Sequence, residues 1–242
     1  MPAGSIILLP MPALLSILLA AQPAQVGVVF DRHSVRTVVA EGEANRDVSD
    51  YLGWRLRNPA FPDKPITLAM LLSHRSSLLD GPDLYIIPLG TTLRQQLADP
   101  RVWDTRHAPG SDWFHYTNLN FPVAASVMER VTGERFDKLM ARLVLRPLKI
   151  DACFNWGEGC SAKAVQRAVV LYRSTGEVAK DDLKGRLPDC PVVAGPDGAC
   201  DLSAYRPGDN GALFSPQGGL RISMKGLARV GQVLANGGKP LL

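Results

Sequence analysis

Residues 108 to 140 read APGSDWFHYTNLNFPVAASVMERVTGERFDKLM, and the rest of the chain is best read outward from them. Pro109-Gly110 marks a turn, and beyond it a tyrosine and an asparagine stand two apart, Tyr116 and Asn118. Asn120 with Pro122 reads as a helix N-cap and early helical proline. Val123, Val127 and Val131 then recur at spacing four, and Gly133 is the stop. Phe136, Leu139, Met140, Leu143 and Val144 make the apolar face of another helix, ended by Pro147. Tyr116 and Asn118 therefore lie on a loop that feeds a buried helix, a rigid platform on which loop residues often carry function. In isolation the same two residues read as a half-buried aromatic and a turn residue.

Upstream, Val26 to Phe30 and Val35 to Ala40 are β-rich runs around Asp31 to Ser34, which predicts a hairpin. Thr67 is placed to cap a helix whose Leu68, Leu71 and Leu72 face one side, and Thr92 to cap a shorter one over Leu93 to Leu97. His74-Arg75, after LLS, reads as a helix C-terminal feature where a cation is favourable. Downstream of residue 150 the chain is loop-rich. A hairpin is expected from Val169 to Tyr172 and Glu177 to Ala179 around Ser174-Thr-Gly176, and SPQGG at 215 to 219 is a tight loop before a helix near Met224.

The chain has 242 residues, enough to bury a core, with 46% hydrophobic and 21% charged side chains, which excludes wholesale disorder. Its net charge of +4 is spread along the sequence without a Lys/Arg block, so nucleic acid is set aside as a partner. Residues 1 to 30 carry no charge, and the run Leu14 to Ala21 is too short to span a bilayer. Residues 1 to 25 therefore read as an export leader and residues 26 to 242 as the domain, in a periplasmic or secreted protein. The alternative is a buried N-terminal strand or helix. Cys153 and Cys160 flank one short loop and Cys190 and Cys200 another, so two local disulfides are expected, against four free thiols as the alternative. His33, His74, His107 and His115 show no ligand spacing, and no metal is expected.

Four segments together resemble the serine β-lactamase and penicillin-binding-protein superfamily, particularly its class C-like esterases and peptidases. They are ITLAMLLSHRSSL at 66 to 78, the stretch at 108 to 140, LVLRPLKI at 143 to 150, and FSPQGGLRISMKGLARVG at 214 to 231. The resemblance implies an α+β fold, here incomplete, with a helical subdomain packed on a partial antiparallel sheet. It also implies acyl transfer from ester, amide or peptidoglycan-like substrates through an acyl-serine, without a cofactor. In that family a Ser-x-x-Lys helix, a Tyr-x-Asn or Ser-x-Asn loop and a Lys-Thr-Gly strand meet in one cleft. Serine and lysine at i and i+3 share a helical face, so the amine can take the hydroxyl proton. Carried over, Tyr116 is the acid/base and Asn118 the substrate-orienting amide.

The chain departs from the family pattern at two of the three elements. No serine has a lysine three residues later; Ser34-Val-Arg-Thr37 offers a threonine, and Ser161 and Ser223 have Lys163 and Lys225 at i+2. VVAEGEA at 38 to 44 runs almost directly into Asp47-Val-Ser-Asp-Tyr51, which locates an internal deletion of the nucleophile helix near residues 44 to 47. Lys239-Pro-Leu ends the chain before any Lys-Thr-Gly strand, so a truncated C-terminus is expected. Three readings follow. One is a catalytically inactive relative of serine hydrolases, and another a residual hydrolase using Ser215 or Ser34. The third is a non-catalytic envelope module that binds peptide or glycan. No Gly-x-Ser-x-Gly elbow is present, which disfavours an α/β-hydrolase. Trp103, Trp113 and Phe114 flank the motif and read as packing or as the wall of an apolar acyl pocket.

Overall fold

A computed structural model describes residues 19–21, 24–30, 35–39, 43–196 and 198–236 of the chain. Most of the segment read as a leader, together with Ser34, Ala40 and the C-terminal Lys239-Pro-Leu, lies outside the described residues. The first strands, β1 (Leu19–Ala21), β2 (Ala24–Phe30) and β3 (Val35–Val39), form an antiparallel sheet in chain order. The expected hairpin is its β2-β3 half. A 3-10 turn at Glu43–Asn45 leads to α1 (Ser49–Leu52), then α2 (Leu68–Leu72), α3 (Pro82–Tyr85) and α4 (Leu93–Gln96). The long helix α5 (Asn120–Thr132) follows, then α6 (Phe136–Met140), which passes into a wider π turn over Ala141–Leu145 before Pro147.

The remaining elements are β4 (Ala152–Phe154), α7 (Ala162–Gln166), β5 (Leu171–Tyr172), β6 (Val178–Lys180), β7 (Leu220–Ile222) and α8 (Met224–Ala235). β4 pairs antiparallel with β7, and β5 with β6. Helices set beside small antiparallel sheets give the expected α+β class. None of the helices among the described residues is long and apolar enough to cross a membrane.

Helix α5 is the axis of the core. It touches α1, α2, α4, α6 and β1, and Pro122 to Glu129 are buried along it without a break. The apolar residues at spacing four are only part of the reason. Ala124, Ala125 and Ser126 are small, so neighbouring chain can approach the helix backbone between the larger side chains. Gly211 uses that space: a Cβ there would lie 2.3 Å from the Pro122 carbonyl oxygen, and the Gly211 N–H donates to Ser126 Oγ at 2.8 Å. Asp209-Asn210-Gly211 is thus a docked loop. The buried Asn210 amide ties it across to the carbonyls of Ile87, Pro88 and Thr91 at 3.0–3.2 Å.

Capping follows sequence at three ends. Thr67 Oγ1 accepts from the Met70 N–H at 3.2 Å, Thr92 forms a capping box with Gln95, and Gly133 closes α5 at φ 67°. At the start of α5 the expectation is corrected by one residue. Leu119 is the N-cap and Asn120 the first helical residue, because the Asn120 side chain turns inward to Ser76 and His74 instead of capping.

Both expected disulfides are present, Cys153–Cys160 and Cys190–Cys200. Cys153 also packs with Trp156 and Val165 in a second, smaller core.

Candidate functional site

The exit of α2 and the turn leading into the amino end of α5 build the site. His74 follows α2 in the left-handed region at φ 56°, which turns its ring toward the loop at 111 to 121. Arg75 then fixes that loop, with Nε donating to the Ser111 carbonyl at 2.6 Å and a terminal nitrogen to the Gly110 carbonyl at 2.9 Å. The Gly110 N–H returns a bond to the Arg75 carbonyl at 2.9 Å.

Beyond the turn, the rings of residues 113 to 116 alternate between two clusters. On one face Trp113 is stacked with both His107 and His115, with centroids 4.4 and 4.9 Å away. On the other face Phe114 and Tyr116 flank His74, the phenol stacked on the imidazole at 4.7 Å and Phe114 edge-on at 5.6 Å. Phe114 is 63% exposed and Tyr116 58%. Trp103 is part of the core, and its indole N–H donates to the Leu97 carbonyl at 3.0 Å.

His74 is not the helix-end cation that its position predicts. Its Nδ1 accepts from the Thr117 N–H at 3.0 Å and lies 3.2 Å from the Asn120 amide nitrogen, which requires an unprotonated Nδ1. Burial lowers its pKa, with nearby Asp80 acting in the opposite direction. Asn120 is oriented in turn, its Oδ1 accepting from Ser76 Oγ at 2.5 Å. The neutral ring is a wedge that sets the plane of Tyr116.

Asn118 is held by Asp80, a residue the sequence does not single out. Asp80 Oδ2 accepts from the Asn118 N–H at 2.7 Å and from Asn118 Nδ2 at 2.5 Å, and Oδ1 accepts from the Leu119 N–H at 3.1 Å. With the amide nitrogen committed to Asp80, Asn118 Oδ1 faces the Tyr116 hydroxyl, 3.4 Å away. The site therefore presents one phenolic donor and one carbonyl acceptor beside an exposed aromatic face. Tyr116 and Asn118 are brought together as the motif implies, and no serine or lysine side chain is bonded to either among the described residues.

Three other serines singled out in the sequence have different work. Ser161 and Ser223 cap α7 and α8, which commits them to the N–H groups of Ala164 and Gly226. Ser215 Oγ receives a bond from Asn155 Nδ2 at 3.1 Å.

A family model described as Beta-lactamase matches residues 36–242. Among solved structures the chain is similar to a class C β-lactamase in complex with cefoxitin, at 15% identity and TM-score 0.50, covering 78% of this chain and 43% of that one. A second class C β-lactamase is similar at 16% identity and TM-score 0.50, with the same coverage of 78% and 43%. The octameric penicillin-binding protein homologue from Pyrococcus abyssi is similar at 17% identity and TM-score 0.47, covering 78% of this chain and 38% of that one. At these identities the likeness is one of fold, and the chain spans less than half the length of each of these structures. No curated protein matches it.

Proposed function

The chain belongs to the Beta-lactamase family, and from that premise we propose that it is a serine-hydrolase relative that keeps the acid/base loop without the nucleophile. The family reaction, acyl transfer and hydrolysis at an ester or amide through an acyl-serine, then stops at recognition here. The observation that carries this reading is the packing of residues 44–48 ahead of α1, where the resemblance expects the nucleophile helix. Ala44 and Val48 are fully buried there, and the Val48 N–H donates to the Ile66 carbonyl at 2.9 Å. Asp47 is bonded to both terminal nitrogens of Arg57. Packing of this kind fits an internal deletion near residues 44 to 47.

What remains suits an amide or ester ligand. The Tyr116 hydroxyl can donate to a ligand carbonyl, and Asn118 Oδ1 can accept from a ligand N–H, in an orientation fixed by Asp80 and His74. Intact mass of the folded protein, before and after incubation with a penicillin and with a fluorophosphonate, tests inactivity. An unchanged mass is expected, and a mapped adduct on any serine would sink the reading.

A second reading, a non-catalytic envelope module for peptide or glycan, is favoured by the exposure of Phe114 and Tyr116 on one face. It predicts saturable binding of a muropeptide or penicillin without turnover, lost on Tyr116→Ala. Absence of saturable binding to either ligand would remove it. Both readings place the protein in the periplasm or outside the cell, supported by two disulfides in a short loop-rich region.

A further inference from the structure

The β5-β6 hairpin stands off the body with every residue from 171 to 180 exposed. A two-stranded hairpin with neither face packed is marginal in water, so its composition should say what meets it. It carries large apolar side chains where solvent would favour polar ones: Val169 is 74% exposed, Tyr172 63%, Leu171 50% and Val178 50%. The register pairs Tyr172 with Val178 and Leu171 with Lys180, which gives each face an apolar member. Arg173 and Lys180 lie on the hairpin, and Lys184 and Arg186 just beyond it.

Of the acidic residues nearby, Asp181 and Asp182 are paired with other cations, and Glu177 keeps its charge on the hairpin, opposed there by Arg173 and Lys180. Asp181 accepts from the Trp156 indole N–H at 2.9 Å and pairs with Arg221 at 2.8 Å, Asp182 lies 3.9 Å from Lys184, and Glu177 accepts from Thr175 Oγ1 at 3.1 Å. Among the described residues Arg173, Lys180 and Arg186 have no carboxylate partner. The base of the hairpin is rigid. Asp181 is locked to Trp156 in the small core, and a disulfide closes the chain on either side of the hairpin, at Cys153–Cys160 and Cys190–Cys200.

We propose that this hairpin docks the protein on an anionic lipid surface. Val169, Leu171, Tyr172 and Val178 would enter the headgroup boundary while Arg173, Lys180 and Arg186 pair with lipid phosphates, the division of labour of interfacial elements. Strand addition to a second copy is the weaker fit, because β5 is two residues long and offers few ladder bonds.

The test is flotation of the full chain with vesicles of phosphatidylglycerol and phosphatidylcholine, against vesicles of phosphatidylcholine alone, at low and high salt. Two double variants accompany it, Arg173→Gln with Lys180→Gln and Leu171→Ser with Tyr172→Ser. All four positions are exposed, and intact mass with near-ultraviolet dichroism verifies that each variant keeps both disulfides and its tertiary structure. Binding to the anionic vesicles, weakened by salt and about 30-fold by the charge pair, is expected from about a fivefold loss per cation. The apolar pair should weaken binding as well. Failure of the wild type to float, equal binding to neutral vesicles, or binding that survives both variants would each overturn the proposal. So would light scattering that shows a dimer dissolved by the same substitutions.

Discussion

Two carboxylates anchor the two ends of α5, and each collects three donors from the loops around it. Asp80, at the amino end, takes the N–H groups of Asn118 and Leu119 and the Asn118 side-chain amide. Glu129, near the carboxyl end, takes the N–H groups of Phe136 and Gly208, each at 2.7 Å, and the Tyr205 hydroxyl. The bonding pattern is the same but the surroundings are opposite. Asp80 is half-buried beside the exposed Tyr116, whereas Glu129 is 1% exposed and its carboxyl is pushed up to about 7 by burial, against the pull of its three donors. Burial also raises the Tyr205 phenol far above its usual range. The same device holds a ligand-facing loop at one end and a closed core at the other.

Removing each anchor should separate the two. Glu129→Ala strands three donors, two of them backbone N–H groups in a buried setting, and a loss of about 3 to 5 kcal/mol is expected. That is a large part of the stability of a domain this size, so the variant should unfold at much lower urea or fail to accumulate. Glu129→Gln keeps the shape but places an amide N–H₂ toward a backbone N–H. It should lose less, about 1 to 3 kcal/mol, by the same urea titration. A loss below about 1 kcal/mol for Glu129→Ala would mean that the loops at 133 to 136 and 205 to 208 are held by something else.

The two ends should also respond to pH with opposite sign. For Glu129 the folded pKa, about 7, lies above the ordinary value of 4.5, so its contribution is full below 4.5 and is lost as pH rises through 7. The gap corresponds to about 3 kcal/mol. His74 has a folded pKa below 6.5, so its contribution is present above 6.5 and declines as pH falls through the folded value. The two contributions therefore change in opposite directions below pH 6.5 and partly offset each other, and only the Glu129 loss continues up to about pH 7. Urea midpoints measured from about pH 4 to 8 should rise with pH in Glu129→Gln, where the His74 contribution is left alone, and rise less or fall in the wild type. If the two profiles coincide, Glu129 does not titrate in this range.

Asp80→Ala should cost about 1 to 2 kcal/mol, because water can reach the donors it leaves behind. Its larger effect should be local. Freed from Asp80, the Asn118 amide can rotate, so any ligand held by Tyr116 and Asn118 should bind at least about tenfold more weakly. Nuclear magnetic resonance of the Asn118 side-chain amide would report the release. A stability loss as large as that of Glu129→Ala would erase the distinction between the two anchors.

How much of this was readable in the sequence depends on how far apart the partners are. Thr67, Thr92 and Gly133 act on residues within four positions, and their caps were legible. The cysteine pairs, seven and ten residues apart, were legible for the same reason. Tyr116 and Asn118 were found as a motif, but Asp80 acts across 38 positions and Glu129 reaches Gly208 across 79. Nothing in DGPDLY or VMERVTG marks either carboxylate as an anchor, since an acidic residue before a turn or on a helix is ordinarily a solvated one. His74 misled for a related reason: the helix end favours a cation, and the Thr117 N–H that makes the ring an acceptor arrives from 43 residues away. The short β4-β7 pairing was likewise hidden, because three-residue strands carry no resolvable period.

The smallest effect expected is also the most informative about the site. The Tyr116 hydroxyl is exposed, and among the described residues its one bond is to Asn118 at 3.4 Å, so Tyr116→Phe should change stability by less than about 0.5 kcal/mol. The ring keeps its stacking on His74, so the loop should not move. If a ligand carbonyl uses that hydroxyl, Tyr116→Phe should nevertheless weaken binding about fivefold or more, the worth of one uncharged hydrogen bond. Tyr116→Ala should weaken it further by removing the aromatic face. Stability and binding are thus uncoupled at Tyr116, as they cannot be at Glu129. A ligand whose affinity is indifferent to both substitutions would have to sit elsewhere on the molecule, and the exposure of Tyr116 would then reflect only its place at the edge of the core.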